Sequence, residues 1–258
     1  FLIIKLMIII KDIMKTKKIN RFFKKDYFLR KFYTLKFLNF FLSEDFLRKK
    51  IFKYIFFSGY WSDYNSGTNK SVSGKGSNYD NTYYLKNELK IFFREKKIKK
   101  ILDIGCGDFN WMSNLLKDIE FDSYLGLDIV KKLVDDNSEK YGTQKVKFLC
   151  QDIVSERIDF QDEFDFILVR HVFIHLKNSN IIKVLNKIKK VNFKYLAITS
   201  DPYKSENKDL KTEGRYRDIN LIIHPFNLSV PNTIIKEFAP GVFNNVDLNI
   251  YDNSIKLK

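Results

Sequence analysis

The chain has 258 residues, 45% of them hydrophobic and 16% aromatic, enough for one large domain with an appendage and too apolar for a disordered chain. Two cysteines, Cys106 and Cys150, form no CxxC pair, which argues against a disulfide scaffold or a zinc–cysteine site and fits a reducing compartment. The net charge of +15 is unevenly placed: residues 1–60 carry 15 Lys/Arg against 4 Asp/Glu, the rest 31 against 27, so total charge does not by itself argue for nucleic acid.

The chain opens on Phe1, with Met7 and Met14 as alternative starts. FLIIKLMIII is apolar but shorter than the roughly 20 residues of a spanning helix, and Lys5 interrupts it. No small-residue cleavage site follows, as a signal peptide would require. From Ile19 to Phe56 apolar residues recur at spacings of three and four with Lys and Arg between them. That pattern predicts a basic helical N-terminal arm over 1–57. The arm either caps the main domain or lies as a peripheral contact on the inner face of a membrane. A Gly/Ser/Asn-rich loop and a helix over 79–97 fill 58–98.

From residue 99 to 258 strands and helices alternate. KKILDIG, SYLGLDI, VKFLCQD, FDFILVR and KYLAITS read as strands; FNWMSNLLKDI, VKKLVDDNSEKYG and NSNIIKVLNKIKKV read as helices. Strands near 233–238 and 247–257 close the chain as an antiparallel edge hairpin. The expected fold is α/β: a Rossmann-like, doubly wound, mostly parallel seven-stranded sheet with one antiparallel strand, plus the arm.

Ligands of such sheets bind at the C-terminal ends of the strands. Asp103, Gly105 and Gly107 follow the first strand. Asp128 ends the second, 21 residues beyond Gly107, where a carboxylate can accept ribose hydroxyls. A pyrophosphate would want G-x-G-x-x-G, but the third glycine is absent and Asp103 and Asp108 flank the turn. Two carboxylates repel phosphate and suit a cationic ligand. S-adenosylmethionine combines ribose, adenine, a sulfonium and an ammonium without phosphate, and Asp152 stands where an adenine amino group could be met.

DIGCGDFNWM, YLGLDIV, FLCQDIV and FDFILVRHVFIHL, in that order, resemble the motifs of class I S-adenosylmethionine-dependent methyltransferases. SGKGS at 73–77 and GRYRDINLIIHPF at 214–226 resemble two further motifs of one bacterial subgroup. The resemblance spans residues 58–258 and implies S-adenosylmethionine as donor. The donor would be held by Gly74, Ser77, Asp103, Gly105, Gly107, Trp111, Asp128, Ile129, Gln151, Asp152, Ile153 and Arg170. This chain departs from the subgroup in having His171 for an acid, Tyr216 for Trp and Asp218 for Pro.

Methyl transfer needs a base only when the acceptor must lose a proton, and His171 and His175 are the candidates. Glu213, Arg215, Arg217 and His224 follow the fifth strand and are expected at the acceptor. The arginines suggest an anionic small molecule or glycan-related acceptor. Two alternatives stand beside this reading. One is nucleic-acid methylation, from SDPY at 200–203 and the basic arm; the other is a non-catalytic binder of the same fold at a membrane surface. No metal is expected, and the compartment is expected to be cytoplasmic.

Overall fold

A computed structural model describes residues 43–62, 71–156, 163–239 and 243–255. The stretch before residue 43, which holds most of the expected basic arm, lies outside the described residues. The compact unit starts at Asp45. It contains α1 (Glu44–Ser58), α2 (Tyr83–Glu95), β1 (Lys100–Ile104), α3 (Met112–Lys117), β2 (Ser123–Asp128), α4 (Lys131–Tyr141) and β3 (Val146–Cys150). β4 (Phe164–Val169), α5 (Asn178–Ile188), β5 (Phe193–Ser200), β6 (Thr233–Ala239) and β7 (Phe243–Asp252) complete it. Among the described residues no helix is long and apolar enough to cross a membrane.

The seven strands run in the order β3-β2-β1-β4-β5-β7-β6. β1 pairs in parallel with β2 on one side and β4 on the other, so the direction of winding reverses there. That reversal opens a crevice at the C-terminal ends of β1 and β4. β7 is antiparallel to both neighbours. The two last strands do pair as expected, but β7 inserts between β5 and β6, so β6 forms the edge.

β4, FDFILV, is buried at every position, as a central strand covered on both faces must be. Ile101 and Leu102 are fully buried on opposite faces. Leu102 belongs with Ile181, Val184 and Leu185 of α5; Ile101 belongs with Leu89 and Phe93 of α2 and Met112 and Leu115 of α3.

The helix expected from Phe109 begins only at Met112. Phe109 has φ 56°, a left-handed conformation that a helix does not accept. Its ring is the reason the chain tolerates this. It is buried against Tyr124, Tyr141 and Phe148 at centroid distances of 5.0, 5.1 and 5.0 Å. The position two residues after Gly107 is therefore filled by an aromatic plug between β2, β3 and α4.

Phe109→Ala should cost about 3–5 kcal/mol, since it empties the plug. Phe109→Gly should cost about 1 kcal/mol less, because glycine relieves the left-handed strain. Urea midpoints at unchanged slope would show that order; an equal loss in both would show the conformation to be unstrained.

Candidate active site

The glycine turn after β1 is held from three sides. The amides of Gly105 and Cys106 both donate to the Leu127 carbonyl at the end of β2, at 2.8 and 3.0 Å. Asn137 of α4 donates to the Gly107 carbonyl at 2.7 Å. The Gly107 amide donates to Asp128 Oδ2 at 3.2 Å. Gly105 and Gly107 have φ of 77° and 58°, and a side chain on either would run into a neighbour: Val172 for Gly105, Ser73 for Gly107. Glycine here is required by close approach as well as by the turn.

That turn is covered by residues 71–77. Asp108 accepts from the Ser71 hydroxyl at 3.0 Å and the Val72 amide at 2.7 Å, and its own amide donates to Ser73 Oγ at 2.9 Å. Asn110 donates to the Ser77 carbonyl, and Arg170 donates to the Gly76 carbonyl at 2.9 Å. Asp108 was expected to face a cation. It clamps the cover instead, because a carboxylate beside two free donors is satisfied by them first.

Under the cover lies a cavity of about 480 Å³. Its lining includes Gly74, Ser77, Asp103, Gly105, Gly107, Trp111, Asp128, Ile129, Gln151, Asp152, Ile153 and Arg170, together with His171 and His175. Asp103 accepts from the Tyr124 hydroxyl through Oδ2 at 2.7 Å, and this bond leaves Oδ1 unused. Burial pushes its carboxyl up to about 7, against the pull of Tyr124 and Arg170. Burial likewise pushes Asp128 up to about 6, although the amides of Val130 and Gly107 favour its ionised form. Each Asp128 oxygen takes one backbone amide and keeps capacity for another donor.

Asp152 has less to offer. Its carboxylate accepts from Arg48 Nε and Nη2, from the Val154 amide and from the Ser155 hydroxyl. Burial raises this carboxyl, but the Arg48 guanidinium outweighs burial and holds it below its ordinary value. Arg48 and Asp152 have side chains 1% exposed and lie 2.7 Å apart. The expectation that Asp152 meets an adenine amino group gives way: its acceptor sites are occupied from within the protein.

Arg48 itself was not legible as a site residue. It belongs to α1, on the stripe it shares with buried Ile51 and Ile55. An arginine three and seven residues before two core isoleucines was the available signal. The same helix and the turn after it bring Phe52, Ile55, Phe56, Tyr60 and Trp61 to the cavity.

The residues after β5 do not line it as expected. Glu213 is buried, bonded by Asn180 at 2.5 Å and lying 3.5 Å from Arg48. Arg217 donates to the Leu176 carbonyl and to Asn178 Oδ1 at 2.7 and 2.8 Å. Arg215 offers its carbonyl to His175 Nδ1 at 2.9 Å, and the His224 carbonyl accepts from Asn207. Glu213, Arg215, Arg217 and His224 all lie outside the cavity lining; Tyr216 is the residue of this loop that reaches it. Backbone bonds explain why. The Gly214 amide donates to His175 O at 2.9 Å and the Arg217 amide to Ile174 O at 3.2 Å, so the loop is a brace for the turn after β4.

That turn presents His175. With its Nδ1 proton on the Arg215 carbonyl, the imidazole keeps its lone pair on Nε2. Trp61 stacks on its ring at 4.2 Å and 26°. Burial, assisted by the charge of Arg217, lowers it to about 4, so it is neutral at pH 7. His171 has φ 55° and donates its amide to Thr199 Oγ1 at 2.9 Å. Its ring lies 3.6 Å from Glu237 Oε2, the carboxylate that also holds Arg170, and burial pushes it well below the usual histidine value. SDPY forms a turn in which the Tyr203 amide donates to Asp201 Oδ1; Tyr203 is exposed and outside the cavity.

Residues 101–192 match the family profile described as a methyltransferase domain. The magnesium protoporphyrin IX methyltransferase of Synechocystis PCC 6803, solved with bound S-adenosylmethionine, superposes with a TM-score of 0.53 at 14% identity. The alignment covers 82% of this chain and 98% of that one. The N-methyltransferase NodS of Bradyrhizobium japonicum WM9 superposes with a TM-score of 0.50 at 12% identity, covering 67% and 96%. No curated protein matches the chain by sequence. The chain carries the fold of S-adenosylmethionine-dependent methyltransferases.

Arg48→Ala would leave a buried, unpaired carboxylate and should cost about 3–5 kcal/mol; replacing both partners, as Arg48→Met with Asp152→Leu, should recover most of that. Because the paired carboxyl of Asp152 is held below its ordinary value, its contribution is present at neutral pH and lost as pH falls through its lowered folded value. Urea unfolding of the three proteins at pH 7 and pH 3 should show the gap between wild type and Arg48→Ala narrowing at the lower pH.

Proposed function

We propose that this chain binds S-adenosylmethionine and transfers its methyl group to a small-molecule acceptor. The observation that carries the reading is the pair Asp103 and Asp128, a buried and a half-buried carboxylate at neighbouring strand ends that line one cavity above a left-handed glycine turn. Both arginines of the lining are already held by carboxylates, Arg48 by Asp152 and Arg170 by Glu237. The donor set therefore suits a ligand with an ammonium group and ribose hydroxyls, and does not suit a phosphate.

Asp103 accepts from the ammonium group through its unused oxygen. Asp128 accepts from the ribose hydroxyls through the capacity its two amides leave. Gly105 and Gly107 let the ligand come against the backbone, Ile129 and Ile153 flank the base, and Ser77 with the Gly74 segment closes over the carboxylate end. Trp111, lying under the Arg170 guanidinium at 5.1 Å, walls the cavity. When bound, the sulfonium supplies a methyl group already activated for displacement, so the protein has mainly to align the acceptor and exclude water.

For a hydroxyl acceptor, His175 Nε2 takes the proton that the acceptor oxygen loses as its new bond to carbon forms. The Arg215 carbonyl keeps the tautomer that makes this lone pair available, and the proton then passes to solvent. The placement of SGKGS over the glycine turn supports the likeness to the bacterial subgroup with that loop.

Titration calorimetry with S-adenosylmethionine and with its demethylated product tests the donor. Both should bind, and Asp103→Asn should weaken S-adenosylmethionine at least tenfold; absence of binding to either would overturn the reading. The ionised form of Asp103 is the one that binds a cation. Affinity should therefore fall by about tenfold per pH unit below pH 7, with Asp128 adding to the loss below about pH 6. Asp103→Asn should abolish the first of these steps.

A further inference from the structure

One side of the cavity lining is aromatic. Phe52 and Phe56 project from α1, Tyr60 and Trp61 from the turn after it, His175 from the turn after β4, and Tyr216 from the loop after β5. Four of these rings form a continuous array. Phe52 meets Trp61 edge-on at 5.9 Å, Trp61 stacks on His175 at 4.2 Å, and Tyr216 meets His175 edge-on at 6.4 Å.

The array itself carries no charged side chain, Lys75 of the lining belongs to the cover over the glycine turn, and the two arginines of the lining are paired. Arg217 bonds Leu176 and Asn178 outside the cavity. Arg48 and Arg170 are paired with carboxylates that are themselves buried. An anionic acceptor would bring a further negative charge into a cavity that already holds the carboxylates of Asp103 and Asp128, which desolvation makes costly. A polyhydroxylated sugar fares little better. Each hydroxyl buried against Phe52 or Phe56 without a partner costs about 1–3 kcal/mol. The Tyr216 hydroxyl already donates to Asp218. The acceptor atom fixed in direction is His175 Nε2, which takes one proton.

Resting on the donor reading above, we infer that the acceptor is an uncharged planar ring system bearing one hydroxyl. It lies against the array of Trp61, His175 and Tyr216 and delivers that hydroxyl to His175 Nε2. The faces and edges of the rings supply the attraction, since aromatic pairs in offset or edge-on contact gain beyond simple burial. A cavity of about 480 Å³ lies in the lower part of the ~300–1,000 Å³ range of small-molecule sites, room for a donor and a compact ring rather than a long chain. This replaces the anionic acceptor suggested by the arginine-rich loop.

The test uses the full chain saturated with S-adenosylhomocysteine and four probes: 2-naphthol, 6-hydroxy-2-naphthoate, decahydro-2-naphthol and methyl glucoside. Calorimetry should show 2-naphthol binding at least tenfold more tightly than each of the others. Tyr216→Ala and Trp61→Ala should each weaken it at least fivefold while the affinity for S-adenosylhomocysteine stays within twofold, and Trp61→Phe should restore most of the loss. Tyr216 is 58% exposed, so its variant stands even if Trp61→Ala fails to fold. Failure of 2-naphthol to bind, equal or tighter binding of the naphthoate, the saturated ring or the sugar, or indifference to Tyr216→Ala would each overturn the inference. If S-adenosylhomocysteine itself does not bind, the donor reading fails, and the same titrations on the chain alone decide the ring site separately.

Discussion

The ion pair between Arg48 and Asp152 is the contact on which the rest of the site depends. Both side chains are almost wholly removed from water, so neither charge could persist there without the other. The pair spans 104 residues and ties α1 to the segment after β3. What α1 contributes to the cavity rests on that tie: Phe52 and Phe56 reach it, and the turn at Gly59 carries Tyr60 to its lining and Trp61 onto His175. A hydrophobic pair could have supplied the stability. What the charged pair adds is direction, because the guanidinium fork fits the carboxylate through both Nε and Nη2.

The loop after β5 works from the other side. Gly214 has φ 79°, and a side chain there would collide with Ile51 and Ile55 of α1. The loop thus lies flush beneath α1 while its backbone bonds hold the turn after β4. Its arginines, conspicuous in the sequence as potential ligands of an anion, serve this scaffold. Arg217 secures the turn through the Leu176 carbonyl, and Arg215 acts through its own carbonyl on the His175 tautomer. The chemistry of His175 is therefore set by residues that never touch the cavity.

The cover over the glycine turn shows the same division of labour. Asp108 ties Ser71 and Val72 down, and Arg170 ties Gly76 to Glu237 of β6. One acidic residue of the motif thus serves architecture, while Asp103, five positions earlier, lines the cavity with one oxygen taken by Tyr124. Composition does not separate the two. Asp103 lies within β1 and points from a strand end into the crevice, whereas Asp108 lies beyond the turn, where two donors from another segment reach it first.

Periodicity and motif order were enough to place the strands, the winding and the strand ends that line the cavity. Alternating apolar runs fix which segments lie inside a sheet, and the spacing between Gly107 and Asp128 follows from one βαβ repeat, which is local in the chain. The left-handed Phe109, the place of β7 inside the sheet and the roof made by α1 were not legible in that way. Each depends on contacts between segments far apart in sequence: the ring cluster around Phe109, the pairing of β7 with β5, the tie of Arg48 to Asp152. The sequence by itself determined that the turn after β1 lacks the third glycine of a pyrophosphate fingerprint and has carboxylates around it. Only the tertiary structure decided which charges remained available after folding, and hence that the neighbouring surface is a wall of aromatic rings. A side chain's type states what it can bond; which partner reaches it first is settled by packing.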